Sequence, residues 1–139
     1  CSLSNMDWGL GAYQKAELVF AQILNTPALS ISHSDRIKIA LAGFWRHCSV
    51  KYYPDREYVS LLSNNEILIA RQVGAALRLA SGIAAISTIF LDNLSLTKKG
   101  NTFILSVPNQ HSQIVTKSVQ KRLKSLSREM DSDFKILYS

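Results

Sequence analysis

The sequence predicts a mainly α-helical chain with a small α+β appendage, and three observations carry that prediction. Apolar residues recur at helical spacing as far as about residue 88. Beyond that point the period changes, and β-branched runs flank a Gly-Asn pair. Hydrophobic residues make up 47% and charged residues 19% of 139 positions, enough apolar side chain for a core and too much for disorder. The chain therefore divides into a helical bundle over residues 1–88 and a β-β-α-β subdomain over residues 89–139. The subdomain is expected to hold an antiparallel sheet covered on one face by its helix.

Tyr13 to Leu24 places Ala16, Val19, Phe20 and Ile23 on one helical face, and Asn25-Thr26-Pro27 stops the run. Ser34 and Asp35 offer N-caps for a second helix carrying Ile37, Ala40, Leu41, Phe44 and Trp45, which ends near Cys48. Pro54 biases Tyr53 away from helix, and a short helix follows from Asp55 to Leu62. Ser63 with Glu66 three positions on forms a capping box that opens the longest helix, Asn64 to about Ser87. Its stripe of Ile69, Val73, Ala76, Leu77, Ala80, Ile83 and Ala84 is expected to be buried, and Gly74 and Gly82 to let another helix backbone approach. A glycine inside a helix costs about 1 kcal/mol relative to alanine, so close packing must compensate. Ile89–Thr97 and Thr102–Val107 then read as strands of a hairpin turning at Lys98-Lys99-Gly100-Asn101. A helix is expected over Ser112–Met130 and a third strand over Phe134–Leu137.

Composition removes several function classes. Cys1 and Cys48 cannot frame a disulfide-rich fold and have no metal-pair spacing, so they read as reduced thiols of a cytoplasmic protein. The longest uncharged apolar stretch, Leu79 to Leu91, has thirteen residues against the roughly 20 that cross a bilayer, and no signal-peptide pattern is visible. The chain opens at Cys1 without an initiator Met and reads as part of a longer protein. No phosphate-binding loop, dinucleotide fingerprint or nucleophile elbow is present. His33, His47 and His111 are scattered without ligand spacing, so no metal site and no catalytic residue is assigned. His47 reads as the end of a helix, where partial positive charge suits the carbonyl ends, and Cys48 as a small buried residue. Trp8, Trp45, Tyr52, Tyr53 and Tyr58 read as bundle packing.

Charge is more informative. Of 16 basic and 10 acidic residues, the part up to Thr97 holds 8 and 7 and the last 42 residues hold 8 and 3. At 100° per residue, Val115, Val119, Leu123, Leu126 and Met130 share one face of the last helix; Lys117, Lys121, Lys124 and Arg128 share the opposite one. Four cations on consecutive turns repel one another unless an anion lies along them. Two readings stay open: a solvated face, or a rail for a polyanion. No aromatic residue interleaves with the stripe, which speaks against nucleic acid and for a partner without bases. Arg71 and Arg78 share a face of the long helix, either pairing with Glu66 or Asp92, the preferred reading, or lining a groove.

The segment Ala70-Arg71-Gln72-Val73-Gly74-Ala75-Ala76-Leu77-Arg78-Leu79-Ala80 resembles the R-L-A helix in the C-terminal region of the exopolyphosphatase and guanosine pentaphosphate phosphatase family. The hairpin with Gly100-Asn101-Thr102-Phe103-Ile104-Leu105 and the K-R-L-K helix at Lys121–Lys124 follow in the same order, and Asp7-Trp8-Gly9 is similar to a stretch in alphaproteobacterial members. The resemblance spans essentially the whole chain. It implies a degenerate HD-like helical bundle, cytoplasmic localisation, and N-terminal actin-like domains that carry the catalytic carboxylate and a divalent metal such as Mg. An HD-type active site would need a His-Asp pair and an Asp after R-L-A; Met6 precedes Asp7 and Ser81 stands at the later position. A thioether and a hydroxyl cannot replace imidazole and carboxylate on a hard divalent metal. The expected role is thus polyphosphate binding through Lys117, Lys121, Lys124 and Arg128, together with homodimer formation, in a phosphoanhydride hydrolase whose active site lies elsewhere. The rivals are a plain dimerisation module built on the small-residue helix, a parent acting on guanosine pentaphosphate, and an RNA-binding domain, against which the missing aromatic platform counts.

Overall fold

The structure, a computed structural model, describes residues 2–27 and 30–139, with side chains from residue 11 onward. Expectations placed on Cys1 and on the side chains of Asp7 and Trp8 lie outside it. The chain is mainly helical with one small sheet, and contacts divide it into two units, Cys1–Gly74 and Ala75–Ser139, each with its own core.

In the first unit, α1 (Ser2–Asn25) packs against α2 (His33–His47) through Ala16, Phe20, Ile37, Leu41, Phe44 and Trp45. The N-cap of α2 is Ser32, two residues before the expected position: its extended backbone frees its Oγ to accept from Asp35 N at 3.1 Å. Asp35 instead sits in the first turn, where its carboxylate meets Lys38 Nζ at 2.7 Å. Aromatic rings close the core edge to face, Tyr13 and Phe20 on Phe44 and Tyr53 on Trp45. Tyr52, Tyr53 and Tyr58 contribute these ring contacts while staying partly in solvent. A single turn, α3 (Arg56–Val59), leads to α4 (Asn64–Ile86).

The capping box of α4 is reciprocal, as expected: Glu66 N donates to Ser63 Oγ at 3.2 Å and Ser63 N donates to Glu66 Oε2 at 2.9 Å. Gly74 permits the close approach read from the sequence, since a Cβ there would lie 2.6 Å from Trp45 Cβ. Ile83 of the expected stripe is buried, but most of the stripe is placed otherwise. Ile69, Val73 and Leu77 are 49, 45 and 41% exposed, and Ala76 and Ala80 are exposed with them. Ala70, Ala75, Leu79 and Ile83 are the residues it buries. Around Gly74 small side chains sit inside because Trp45 comes too near for large ones, whereas further along the helix Leu79 and Ile83 are buried. Among the described residues, α4 is the one helix whose length and apolarity suffice to cross a bilayer, although Glu66, Arg71 and Arg78 interrupt it and parts of it pack on protein.

The second unit begins inside α4, earlier than the change of composition at residue 88, because Ala75, Leu79 and Ile83 already belong to its core. Residues Thr88–Asn93 form 3-10 turns, so the first strand, β1 (Ser95–Lys99), starts six residues later than the sequence suggests. β1 pairs antiparallel with β2 (Thr102–Val107) across Gly100-Asn101. Gly100 has φ +58, which a type II′ turn requires of its first central residue. After Pro108 a second set of 3-10 turns occupies Asn109–Ile114, and α5 (Lys117–Glu129) starts five residues after the expected Ser112. Thr116 is its N-cap, with Oγ1 accepting from Val119 N at 3.2 Å.

β3 (Asp133–Tyr138) pairs with β2 in parallel, in the order β1-β2-β3, so the sheet is mixed and not antiparallel. The cause is α5: it carries the chain back to the end at which β2 began, and a strand entering from there runs beside β2 in the same direction. The tight exit from α5 is a Schellman motif, with Ser132 N donating to Ser127 O, Asp131 N donating to Arg128 O, and Asp131 left-handed at φ 49. The core joins α4 and α5 to the sheet through Leu79, Ile83, Leu105, Val107, Leu123 and Leu126.

Candidate functional site

Helix α5 presents the clearest separation of chemistry on the chain. Val119, Leu123 and Leu126 are buried in the core, and Lys117, Lys121, Lys124 and Arg128 are all exposed, as their spacing predicts. Among the described residues none of these four forms an ion pair with a carboxylate. Lys117 stands in the first turn, where it opposes the helix dipole and no acidic residue offsets it. Like charges three and four apart each cost about 0.2–0.5 kcal/mol. The stripe is therefore slightly destabilising in the unliganded helix, and an anion along it would remove that cost.

One further cation of this helix was not singled out by the sequence. Arg122 lies on the flank of α5, about half-buried, and crosses α4 at Gly82. A Cβ at Gly82 would fall 3.0 Å from the guanidinium carbon and 3.1 Å from Arg122 Cδ, so this glycine accommodates a side chain and not a helix backbone. Arg122 Nη1 donates to the Arg78 carbonyl oxygen at 3.1 Å. Burial, reinforced by the charge of Arg78, lowers the Arg122 pKa from its ordinary value. The signal in the sequence was Gly82 itself, whose missing side chain marks something large passing close by.

The arginines of α4 are placed as follows. Arg71 Nη1 donates to Tyr53 Oη at 3.4 Å. Glu66 is 3.6 Å from Lys38 Nζ, and Arg78 forms no ion pair among the described residues. Hydrogen bonds from Ser63, its backbone N–H foremost, hold the Glu66 carboxyl below its usual range, with Lys38 adding to the effect.

The three histidines remain apart. His33 opens α2, His47 closes it, and His111 packs against the Phe90 ring with centroids 4.4 Å apart. Among the described residues no three His, Cys, Asp or Glu side chains come together as a metal site. Cys48 is buried and its Sγ lies 3.5 Å from Phe44 O. In the first unit an open groove of about 250 Å³ is lined by Phe20, Leu24 and Tyr58 with Glu17 and Asp55, opposite in charge to the α5 stripe.

His47 differs from the cationic helix end expected. Partial burial first, then the charges of Lys15 and Arg46, hold its pKa below the ordinary value, so the imidazole is neutral at pH 7. The unfolded chain binds this proton at about pH 6.5 and the folded one only at lower pH. The contribution of His47 to stability is thus present above pH 6.5 and lost as pH falls through the folded value. Urea midpoints between pH 7.5 and 5.5 are expected to fall in the native protein and to fall less in His47→Gln; equal falls would contradict this.

No family model matches the chain, and no curated protein does.

Proposed function

We propose that this chain is a non-catalytic, polyanion-gripping region of an exopolyphosphatase-like phosphoanhydride hydrolase, and that inorganic polyphosphate lies along α5. One observation carries the reading: four exposed cations on consecutive turns of a helix anchored by its opposite face, none of them paired with a carboxylate among the described residues. Lysines are point charges that suit a repeating anion without bases, and each ion pair added along the chain adds affinity. The helical region over residues 1–88, which holds the R-L-A segment, is read as the degenerate HD-like bundle that the resemblance implies. Cleavage, with its divalent metal and catalytic carboxylate, is assigned to the actin-like domains that the resemblance implies. Guanosine pentaphosphate is the alternative substrate of the parent enzyme.

The test is long-chain polyphosphate binding at several salt concentrations. With about four contacts, the logarithm of the affinity should fall with that of salt at a slope of roughly −3. Changing Lys117, Lys121, Lys124 and Arg128 together to Gln should flatten that slope and cost at least tenfold at low salt. Unchanged affinity would reduce the stripe to a solvated face. The chain alone should release no phosphate; release that scales with protein and needs a divalent metal would overturn the non-catalytic assignment.

A second reading, homodimer formation, is favoured by the exposed Ile69, Val73 and Leu77 of α4. Runs of exposed apolar side chains on one helix mark association surfaces, and a copy of the same helix antiparallel to it would set Ile69 and Val73 opposite Ala84 and Ala80. Sedimentation without polyphosphate separates the readings, because a concentration-dependent dimer that persists in high salt supports this one.

A further inference from the structure

We propose that the groove between α1 and the segment around Asp55 binds a small two-headed aliphatic cation, a linear diamine or polyamine. The site lies wholly within the first unit and owes nothing to the polyphosphate reading. One wall is a face of α1, where Glu17, Phe20 and Leu24 follow one another at helical spacing. The other wall is Pro54, Asp55 and Tyr58. Phe20 and Pro54 are buried, and the Tyr58 ring meets the Phe20 ring edge to face with centroids 5.9 Å apart, so much of the lining is apolar and aromatic. The volume is about 250 Å³, below the roughly 300–1,000 Å³ of pockets that take drug-sized ligands. A short chain suits such a space.

Charge selects the occupant. Each wall carries one carboxylate, Glu17 or Asp55; both are exposed, and among the described residues neither forms an ion pair. One Asp55 oxygen accepts from Glu57 N at 3.0 Å, which holds that carboxylate in its wall. A bare divalent ion is a poor match: Ca²⁺ takes about six to eight oxygen ligands, and among the described residues no three His, Cys, Asp or Glu side chains come together. An aliphatic diamine answers every part of the lining. Each ammonium has three donors for a carboxylate. The methylene stem covers Phe20 and Leu24 as a lysine stem covers apolar surface, and an ammonium near an aromatic ring gains a further attraction. A lysine side chain from a partner protein has one cation only, which leaves one of the two carboxylates unmatched.

The test is a titration of the whole chain with diaminopentane at low ionic strength, read from the side-chain resonances of Phe20, Leu24 and Tyr58. Those resonances should shift saturably in the millimolar range. Pentylamine, which has one ammonium, should bind about threefold more weakly. Glu17→Gln and Asp55→Asn should each weaken diaminopentane about threefold, and together about tenfold. Asparagine caps a helix as well as aspartate does, so α3 keeps its start in the variant. Tyr58→Leu, which keeps apolar volume but loses the ring, should cost about threefold. Magnesium chloride should leave the three side chains unmoved. Tighter binding of N-acetyl-lysine methylamide, or equal binding of pentylamine, would assign the groove to single cations such as a partner's lysine and overturn the two-headed assignment. No saturable shift, equal shifts with magnesium, or an unchanged affinity in the double variant would overturn the site itself.

Discussion

Replacing Trp45 by alanine is expected to cost about 3–5 kcal/mol. That is a large share of the roughly 5–15 kcal/mol that holds a domain folded. Trp45 is fully buried, and three things depend on it. Its ring packs edge to face with Phe44 and Tyr53. Its Nε1 donates to Tyr52 O at 2.9 Å, tying the loop after α2 to that helix. Its Cβ, which alanine would keep, fills the notch at Gly74, so α2 and α4 meet there almost backbone to backbone and the ring spans the remaining space. Truncation leaves a cavity that α4 cannot fill, because the residues it turns inward there are glycine and alanine. Trp45→Phe keeps most of the apolar volume and loses chiefly the hydrogen bond, about 1 kcal/mol, plus some packing. Urea unfolding followed by helical circular dichroism distinguishes the two variants. A loss under 1 kcal/mol for the alanine variant would mean that this residue does not hold the first core together.

Leu123→Ala is expected to cost about 2–5 kcal/mol in the second unit. Leu123 is fully buried on α5 among Leu79, Val107, Val119 and Leu126, so its removal opens a void at the centre of the helix–sheet contact. Lys124→Gln, one residue on and exposed, should change stability by no more than about 0.5 kcal/mol. Amide exchange in β2 measures the difference directly. Equal protection in the two variants would show that the apolar face of α5 does not anchor it, leaving no fixed helix to hold a cationic face toward an anion.

How much of this was legible in the sequence depended on how local each cause was. The capping box at Ser63 and Glu66, the stop at Asn25-Thr26-Pro27 and the glycine turn at Gly100 involve neighbours only, and all three stand as read. So does the two-faced character of α5, because spacing alone sets it. The features that differed were tertiary. β-Branched and apolar residues at Thr88–Leu91 suit a strand, but Ser87 Oγ accepts from Ile89 N and starts a 3-10 turn. The direction of β3 is fixed by where α5 delivers the chain, which no residue of Asp133–Tyr138 encodes. On α4 the apolar stripe gave a strong periodic signal, yet near Gly74 the closeness of Trp45 leaves room only for small residues, and Ile69, Val73 and Leu77 stay exposed. Of the candidate site, the four stripe cations were readable. Arg122 was not, because its distinction from Lys121 and Lys124 is a contact with Gly82 forty residues away.

The parallel placement of β3 also orders events during synthesis. Each of its pairings with β2 joins residues roughly thirty apart, whereas β1 and β2 zip from a two-residue turn. On the ribosome the hairpin can close early, but its open side waits until α5 and then Asp133–Tyr138 have left the exit tunnel. During that interval β2 offers unpaired amides and carbonyls together with Phe103, Leu105 and Val107, a template that a neighbouring nascent chain could occupy. Slowing elongation while β2 has emerged and Asp133–Tyr138 has not should therefore lower the soluble yield, and a holdase chaperone should restore it.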